Sequence, residues 1–244
     1  MDRDKLTDST NNVFTRRNML QMLLAASASI LTGCGVSAEN KSAANLACVV
    51  TPEQTEGPYF VDEKLNRSDI RFDPTDGSIQ AGMPLTLVVN VFAVGSHACQ
   101  PIKEAIVDIW HCNAKGAYSD VKDRSFDTRG TKFLRGYQLT DEQGAAKFFT
   151  IHPGWYDGRA VHIHFKIRAT DANGKRHEFT SQLYFDDKFN DEVFALAPYA
   201  GRGERKTKNS NDRIYEDGGR QLTLKLSKTA EGYIANFDVG LNLA

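Results

Sequence analysis

The sequence predicts an all-β fold: an antiparallel β-sandwich with an irregular N-terminal arm and little helix. Three observations lead there. Apolar and polar residues alternate in short runs, of which 84–94 and 161–167 are the clearest. Clusters of Gly, Asp and Asn punctuate the chain between these runs, as expected of turns joining short strands. No helical apolar period persists beyond about two turns, which argues against an α/β architecture.

Residues 1–34 are read as an address rather than as fold. Thr15-Arg16-Arg17-Asn18-Met19-Leu20 leads into an apolar run of thirteen residues, Met19 to Leu31, which is too short to span a bilayer as a stable helix. Paired arginines before a modest apolar segment resemble a twin-arginine export signal. Leu31-Thr32-Gly33-Cys34 resembles the lipobox at which bacterial lipoproteins are cut and acylated. The expectation is a protein exported across the bacterial cytoplasmic membrane and held at the periplasmic face or cell envelope, touching the membrane only through a lipidated Cys34. Residues 35–47, small and polar, form a flexible tether, and 48–244 form the folded domain. In an oxidising compartment two of Cys48, Cys99 and Cys112 can pair, and Cys48 with Cys99 is the preferred pairing because both sit near strand or loop edges.

The domain opens with TPEQTEGPYF, residues 51–60, whose turn formers predict an irregular arm packed on the sandwich. Residues 84–94 put Leu85, Leu87, Val89 and Val91 on one face of a strand. Residues 105–112, AIVDIWHC, put Val107 and Ile109 on one face and Asp108 and Trp110 on the other; Trp110 is expected to pack between the sheets. Shorter strands are predicted at 133–139, 146–151, 178–185, 221–226 and 233–239. The basic stretch GRGERKTK, 201–208, is expected to be a solvated connection. The chain is 41% hydrophobic and 25% charged with a net charge of -1, the balance of an ordinary globular protein without an electrostatic footprint for nucleic acid. A homodimer is compatible with this composition.

The stretch PGWYDGRAVHIHFKI, 153–167, concentrates the chemistry. Val161, Ile163, Phe165 and Ile167 alternate with His162, His164 and Lys166, so a strand buries the first set and projects both histidines from its other face. Trp155, Tyr156 and Arg159 arrive in the turn before it. Two histidines so placed can hold one metal ion. With Tyr118 and Tyr156 as further ligands the set suits ferric iron, since a phenol ionises readily only on a strongly Lewis-acidic ion. Two alternatives stay open at this point. One is a ferrous site of His162, His164 and Asp157; the other is a lipid-anchored sandwich that binds sugar, peptide or ferric catecholates without turnover. His111, His152, His97 and His177 are left outside the site, the last two as exposed turn residues. Glu56 and Tyr59 are equally consistent with the pocket mouth and with packing.

Over about residues 48–240 the sequence resembles the intradiol ring-cleavage dioxygenases, whose best-known members cleave catechol or protocatechuate. The resemblance rests on TPEQTEGPYF, on VDIWHCNAKGAYSD (107–120), on FLRGYQLTDEQGAAKFFTIHPGWYDGRAVHIHFKI (133–167) and on TSQLYF (180–185). It implies a ferric ion, Fe(3+), held by Tyr118, Tyr156, His162 and His164, with O2 and a catechol-type molecule as substrates and a muconate-type dicarboxylate as product. It further implies that Tyr156 takes a proton from the substrate, that Arg159 stabilises developing negative charge, and that Gln182 orients substrate or dioxygen. In one respect the chain departs from the well-studied members. Only five residues separate Tyr156 from His162, where those enzymes carry a longer insertion, so one pocket wall is expected to be reduced and open to bulkier catechols.

Overall fold

Strand β1, Pro84–Val94, is the axis of the first sheet, and its inward residues Leu85, Leu87, Val89 and Val91 are fully buried, as alternation requires. In this computed structural model, which describes residues 49–95 and 99–243, β1 pairs with β2 (Cys99–Pro101) and β5 (Ala145–Ile151) on one side and with β9 (Tyr233–Leu241) on the other; β9 in turn pairs with β8 (Leu226–Lys228). The second sheet has the order β4-β3-β6-β7, from Arg135–Leu139, Ile106–Trp110, His162–Thr170 and Arg176–Tyr184. The export and lipobox segment, the tether, Cys48 and His97 lie outside the described residues.

The two sheets face each other through one apolar core. Leu87, Val89 and Phe148 from the first sheet meet Val107, Ile109, Ile163, Phe165, Ile167 and Leu183 from the second. Each such side chain contributes about 1.5–3 kcal/mol by leaving water. Two turns, one between the sheets from β4 to β5 and one in the β6–β7 hairpin, have a local cause. The carboxylates of Asp141 and Asp171 accept backbone N–H groups two and four residues on, and Gly144 and Gly174 take the positive φ that closes each turn.

Among the described residues the antiparallel expectation holds for every strand pair but one: β1 and β9 run parallel, with Leu85 opposite Tyr233 and Ala93 opposite Leu241. The first sheet is therefore mixed. The strand expected at 221–226 is not formed there: β8 begins only at Leu226. Leu222 and Leu224 are buried, but the backbone ahead of Leu226 meets its neighbours only through turn bonds to Gly218 and Gly219 and an isolated bridge to Tyr184, so its alternation records burial rather than a ladder. A helix α1, Asp187–Phe194, capped by the Asp186 carboxylate on the N–H of Phe189, and a single turn α2, Arg213–Glu216, occupy the long connection before β8.

Three smaller expectations are corrected. The stretch 201–208 is not simply solvated, because Arg205 is 4% exposed and is held by Asp187 at 2.7 Å and Asp191 at 3.1 Å on α1. His177 is partly buried and sits 3.0 Å from Asp171. Trp110 is buried, but it lies on the outer face of the second sheet in a separate cluster with Cys112 and Tyr118. Cys99 is disulfide-bonded and Cys112 is a free, buried thiol; the pairing of Cys99 with Cys48 lies outside the described residues.

Candidate metal centre and active site

Strand β6 sends Ile163, Phe165 and Ile167 into the core and therefore His162 and His164 to the opposite face. That outer face is covered by the N-terminal arm. Gln54 donates its backbone N–H to Thr180 O, Ser181 donates to Pro52 O, and Gln182 donates to Thr55 O. The covering leaves the imidazoles only 2% and 1% exposed.

Four polar atoms from three segments of chain meet under this cover. The Nε2 atoms of His162 and His164 are 3.0 Å apart. The Oη of Tyr156 is 3.1 Å, and that of Tyr118 3.3 Å, from His162 Nε2, and the two phenol oxygens are 3.5 Å from each other. Donors bound to one ion at about 2.0–2.1 Å with angles of about 90–110° stand roughly 2.9–3.4 Å apart, so the four atoms are spaced close to a shared coordination sphere. His162 Nδ1 lies 2.6 Å from the Ala160 carbonyl oxygen. That contact is a hydrogen bond when Nδ1 carries the proton, which leaves Nε2 with its lone pair facing the cluster.

Burial sets the charge state of the set. It pushes His162 down to about 3, helped by the neighbouring Arg159 charge, and holds His164 well below its ordinary value. Both imidazoles are neutral, as a metal ligand must be. Burial also raises both phenols well above the usual tyrosine range, although Arg159 pulls Tyr156 partly back. A cation with strong affinity for phenolate is therefore needed to ionise them, which fits a hard Lewis-acidic ion.

Neighbouring rings fix the candidate ligands. Trp110 stands opposite His164 across β3 and β6 and stacks on it, with centroids 4.9 Å apart and planes 6° apart. Among the described residues His164 Nδ1 has no hydrogen-bond partner, so this stacking sets its ring plane. Tyr59 of the arm stacks on Tyr118 at 4.5 Å and donates its hydroxyl to Asp123 at 2.7 Å. Gly57 approaches so closely that a Cβ there would meet His164 Cε1 at 3.3 Å. Glu56 instead forms an ion pair with Lys166.

Arg159 and Gln182 are brought together beside the cluster. Arg159 donates through Nη2 to Gln182 Oε1 at 2.6 Å and through Nε to Asp212 Oδ2 at 3.0 Å. Asp212 is the residue that sequence reasoning missed. It is 2% exposed, accepts the Ala160 N–H at 2.6 Å on Oδ2, and accepts the N–H groups of Ile214 and Tyr215 on Oδ1 at the start of α2. Burial alone would raise its pKa, but those N–H groups and the Arg159 charge outweigh burial and hold the carboxyl below its usual value. Its one sequence signal is an Asp opening a helical turn, which says nothing of Arg159.

The remaining candidates fall elsewhere. Asp157 is exposed, and among the described residues no three His, Cys, Asp or Glu side chains are grouped to hold a metal ion, so the ferrous alternative lacks its carboxylate. His111 is bonded to Cys112 O and Thr150, and His152 is packed among Phe185, Phe194 and Tyr199. Among the described residues no helix is long and apolar enough to cross a membrane.

A family model described as "Dioxygenase" matches residues 55–206. The chain is 30% identical over 171 residues to the protocatechuate 3,4-dioxygenase beta chain of Burkholderia cepacia, covering 65% of this chain and 71% of that one. It is likewise 30% identical to the catechol 1,2-dioxygenase of Acinetobacter baylyi, covering 62% of this chain but only 51% of the relative, so it spans about half that enzyme's length. Among solved structures, the intradiol ring-cleavage dioxygenase from Tetranychus urticae superposes with a TM-score of 0.68 at 30% identity, covering 80% of this chain and 95% of that one.

Proposed function

The chain belongs to the intradiol ring-cleavage dioxygenases, oxidoreductases that incorporate O2, and from that premise we propose that it is a ferric enzyme acting on a catechol-type ring. In this reading Tyr118, Tyr156, His162 and His164 hold Fe(3+), and both atoms of O2 enter a muconate-type dicarboxylate. The observation that carries it is the convergence of two phenol oxygens and the His164 nitrogen within 3.0–3.3 Å of His162 Nε2, with no carboxylate among the four groups. Bound there, ferric iron supplies the Lewis acidity that stabilises the phenolates and draws charge from a catecholate ring, making its carbon reactive toward dioxygen.

The residues then have separate tasks. His162 and His164 present neutral nitrogens fixed by the Ala160 carbonyl and by Trp110. Tyr156, as the phenolate it would be with the metal bound, would accept a substrate proton on Oη, and the nearby Arg159 charge favours that ionised form. Arg159 stabilises negative charge as it builds on the reacting oxygens. Gln182, anchored between Arg159 and Thr55 O, orients substrate or dioxygen. The arm excludes bulk water from the imidazoles. The short link from Tyr156 to His162 leaves Asp157 and Gly158 exposed, and this proposal includes a reduced pocket wall there that admits bulkier catechols. The same proposal includes export and anchoring through Cys34, for which Cys34→Ala should move the protein from the membrane fraction to the soluble one.

The test is a visible spectrum of the protein loaded with ferric iron, before and after anaerobic catechol. A tyrosinate charge-transfer band that moves to longer wavelength on substrate binding supports the assignment, and a colourless ferric protein overturns it.

A further inference from the structure

Two loops deliver the two tyrosines, and they touch each other before either reaches the site. The first is the turn 113–116 that leads to Tyr118; the second is Gly154-Trp155, which leads to Tyr156. Gly154 donates its N–H to Asn113 O at 3.1 Å. A Cβ on Gly154 would meet the Asn113 and Ala114 carbonyl oxygens at 2.5 Å, and one on Gly116 would meet Trp155 O at 2.4 Å. Only glycine permits this approach at both places, so the loops are in backbone contact.

A third segment clamps that contact. Arg202 donates through Nη1 to Trp155 O at 2.7 Å and to Ala114 O at 3.4 Å, one acceptor on each loop, while its guanidinium lies 4.5 Å from the Trp155 ring centroid. Its own base is firm, because Arg205, three residues on, is buried and bonded to Asp187 and Asp191 on α1. Arg202 is half-buried, and its hydrogen bonds are to these two carbonyl oxygens, with the Asp157 carboxylate adding a favourable charge nearby. A planar, always-charged fork is suited to gathering carbonyl oxygens from two strands of backbone.

We propose that Arg202 is a positioning residue that staples the Tyr118 loop to the Tyr156 loop and so fixes the separation of the two phenol oxygens. It acts on the ligands through the backbone and touches neither the phenols nor the imidazoles. The consequence for the metal rests on the ferric reading above; the consequence for the two loops does not.

The experiment compares the full chain with Arg202→Met, which keeps an apolar stem over Trp155 but has no donor, and with Arg202→Lys, which restores one donor. Hydrogen exchange is followed without metal in peptides covering 113–118 and 153–158, with β1 as the internal reference. Loss of ferric iron to a chelator is followed by the visible band. The expected result is faster exchange in both loops but not in β1 for Arg202→Met. Iron loss should be about tenfold faster, the size typical of removing a group that supports metal ligands. Arg202→Lys should fall between Arg202→Met and the natural protein. Unchanged exchange in the two loops overturns the proposal, and so does equal acceleration everywhere, which would mean only lower global stability. If the natural protein takes up no coloured ferric iron, the functional reading fails and the exchange result alone decides the staple.

Discussion

Removing the Asp212 carboxylate tests the electrostatic frame of the site without relying on turnover. Asp212→Ala strands Arg159, whose side chain is 16% exposed, without its counter-ion, and leaves three backbone N–H groups, of Ala160, Ile214 and Tyr215, without their acceptor. Breaking a buried pair by deleting one partner costs about 3–5 kcal/mol. An unsatisfied buried N–H costs about 1–3 kcal/mol, and a lost helix cap about 1 kcal/mol. These contributions share one side chain and are not additive, so about 4 kcal/mol is expected for Asp212→Ala and about 2 kcal/mol for Asp212→Asn, which keeps one acceptor. Urea unfolding reads both, as a fall in midpoint at constant slope. The pH dependence has a definite sign. Because the folded carboxyl is held below its ordinary value, its contribution is complete above the unfolded pKa of about 3.9 and is lost as pH falls through the folded pKa. The gap between the natural protein and Asp212→Asn should therefore be full at neutral pH and shrink only in acid. A loss below about 1 kcal/mol for Asp212→Ala, the size of an exposed pair, would refute the reasoning.

Other outcomes are expected from the same geometry. Gly57→Ala forces a side chain into φ +71° with its Cβ 3.3 Å from His164 Cε1, and should cost about 1–2 kcal/mol while loosening ferric iron, measured by unfolding and by chelator competition. Trp110→Leu removes the ring that sets the His164 plane; iron should be lost faster, and the hydrogen exchange of β6 in the metal-free protein should rise near its start. Tyr118→Phe and Tyr156→Phe should each remove one phenolate contribution from the ferric band. Chelation of the iron should bleach the band with little change in far-ultraviolet circular dichroism, because the core lies on the opposite face of β6 from the histidines.

Much of the frame was legible from residue periodicity, for a physical reason. Alternation in a strand is a local rule, so Leu85 to Val91 and Val161 to Ile167 announce both the strand and its buried face. The same rule put His162 and His164 on one face, and the resemblance supplied the tyrosines that join them. Short Asp-to-Gly turns are equally local, and they too stand where the sequence puts them. The helix 187–194 was missed because its eight residues bury only Asn190 and Val193, too few to write a period.

What the tertiary structure alone decided is which distant groups meet. Asp212 lies 53 residues from Arg159, Arg202 lies 47 from Trp155, and nothing along the chain marks them as partners. Trp110 reads as core in sequence because alternation separates two faces without saying what covers each. The arm turned the outer face into a second buried surface, where the tryptophan stacks on His164. The parallel β1–β9 pair is likewise invisible in either strand, since alternation is the same whichever way a neighbour runs. The sequence by itself determined the strands, their inward faces and the residue types able to hold an ion. Folding decided their company, because contact between segments far apart in the chain depends on how the sheets close and leaves no local periodic mark.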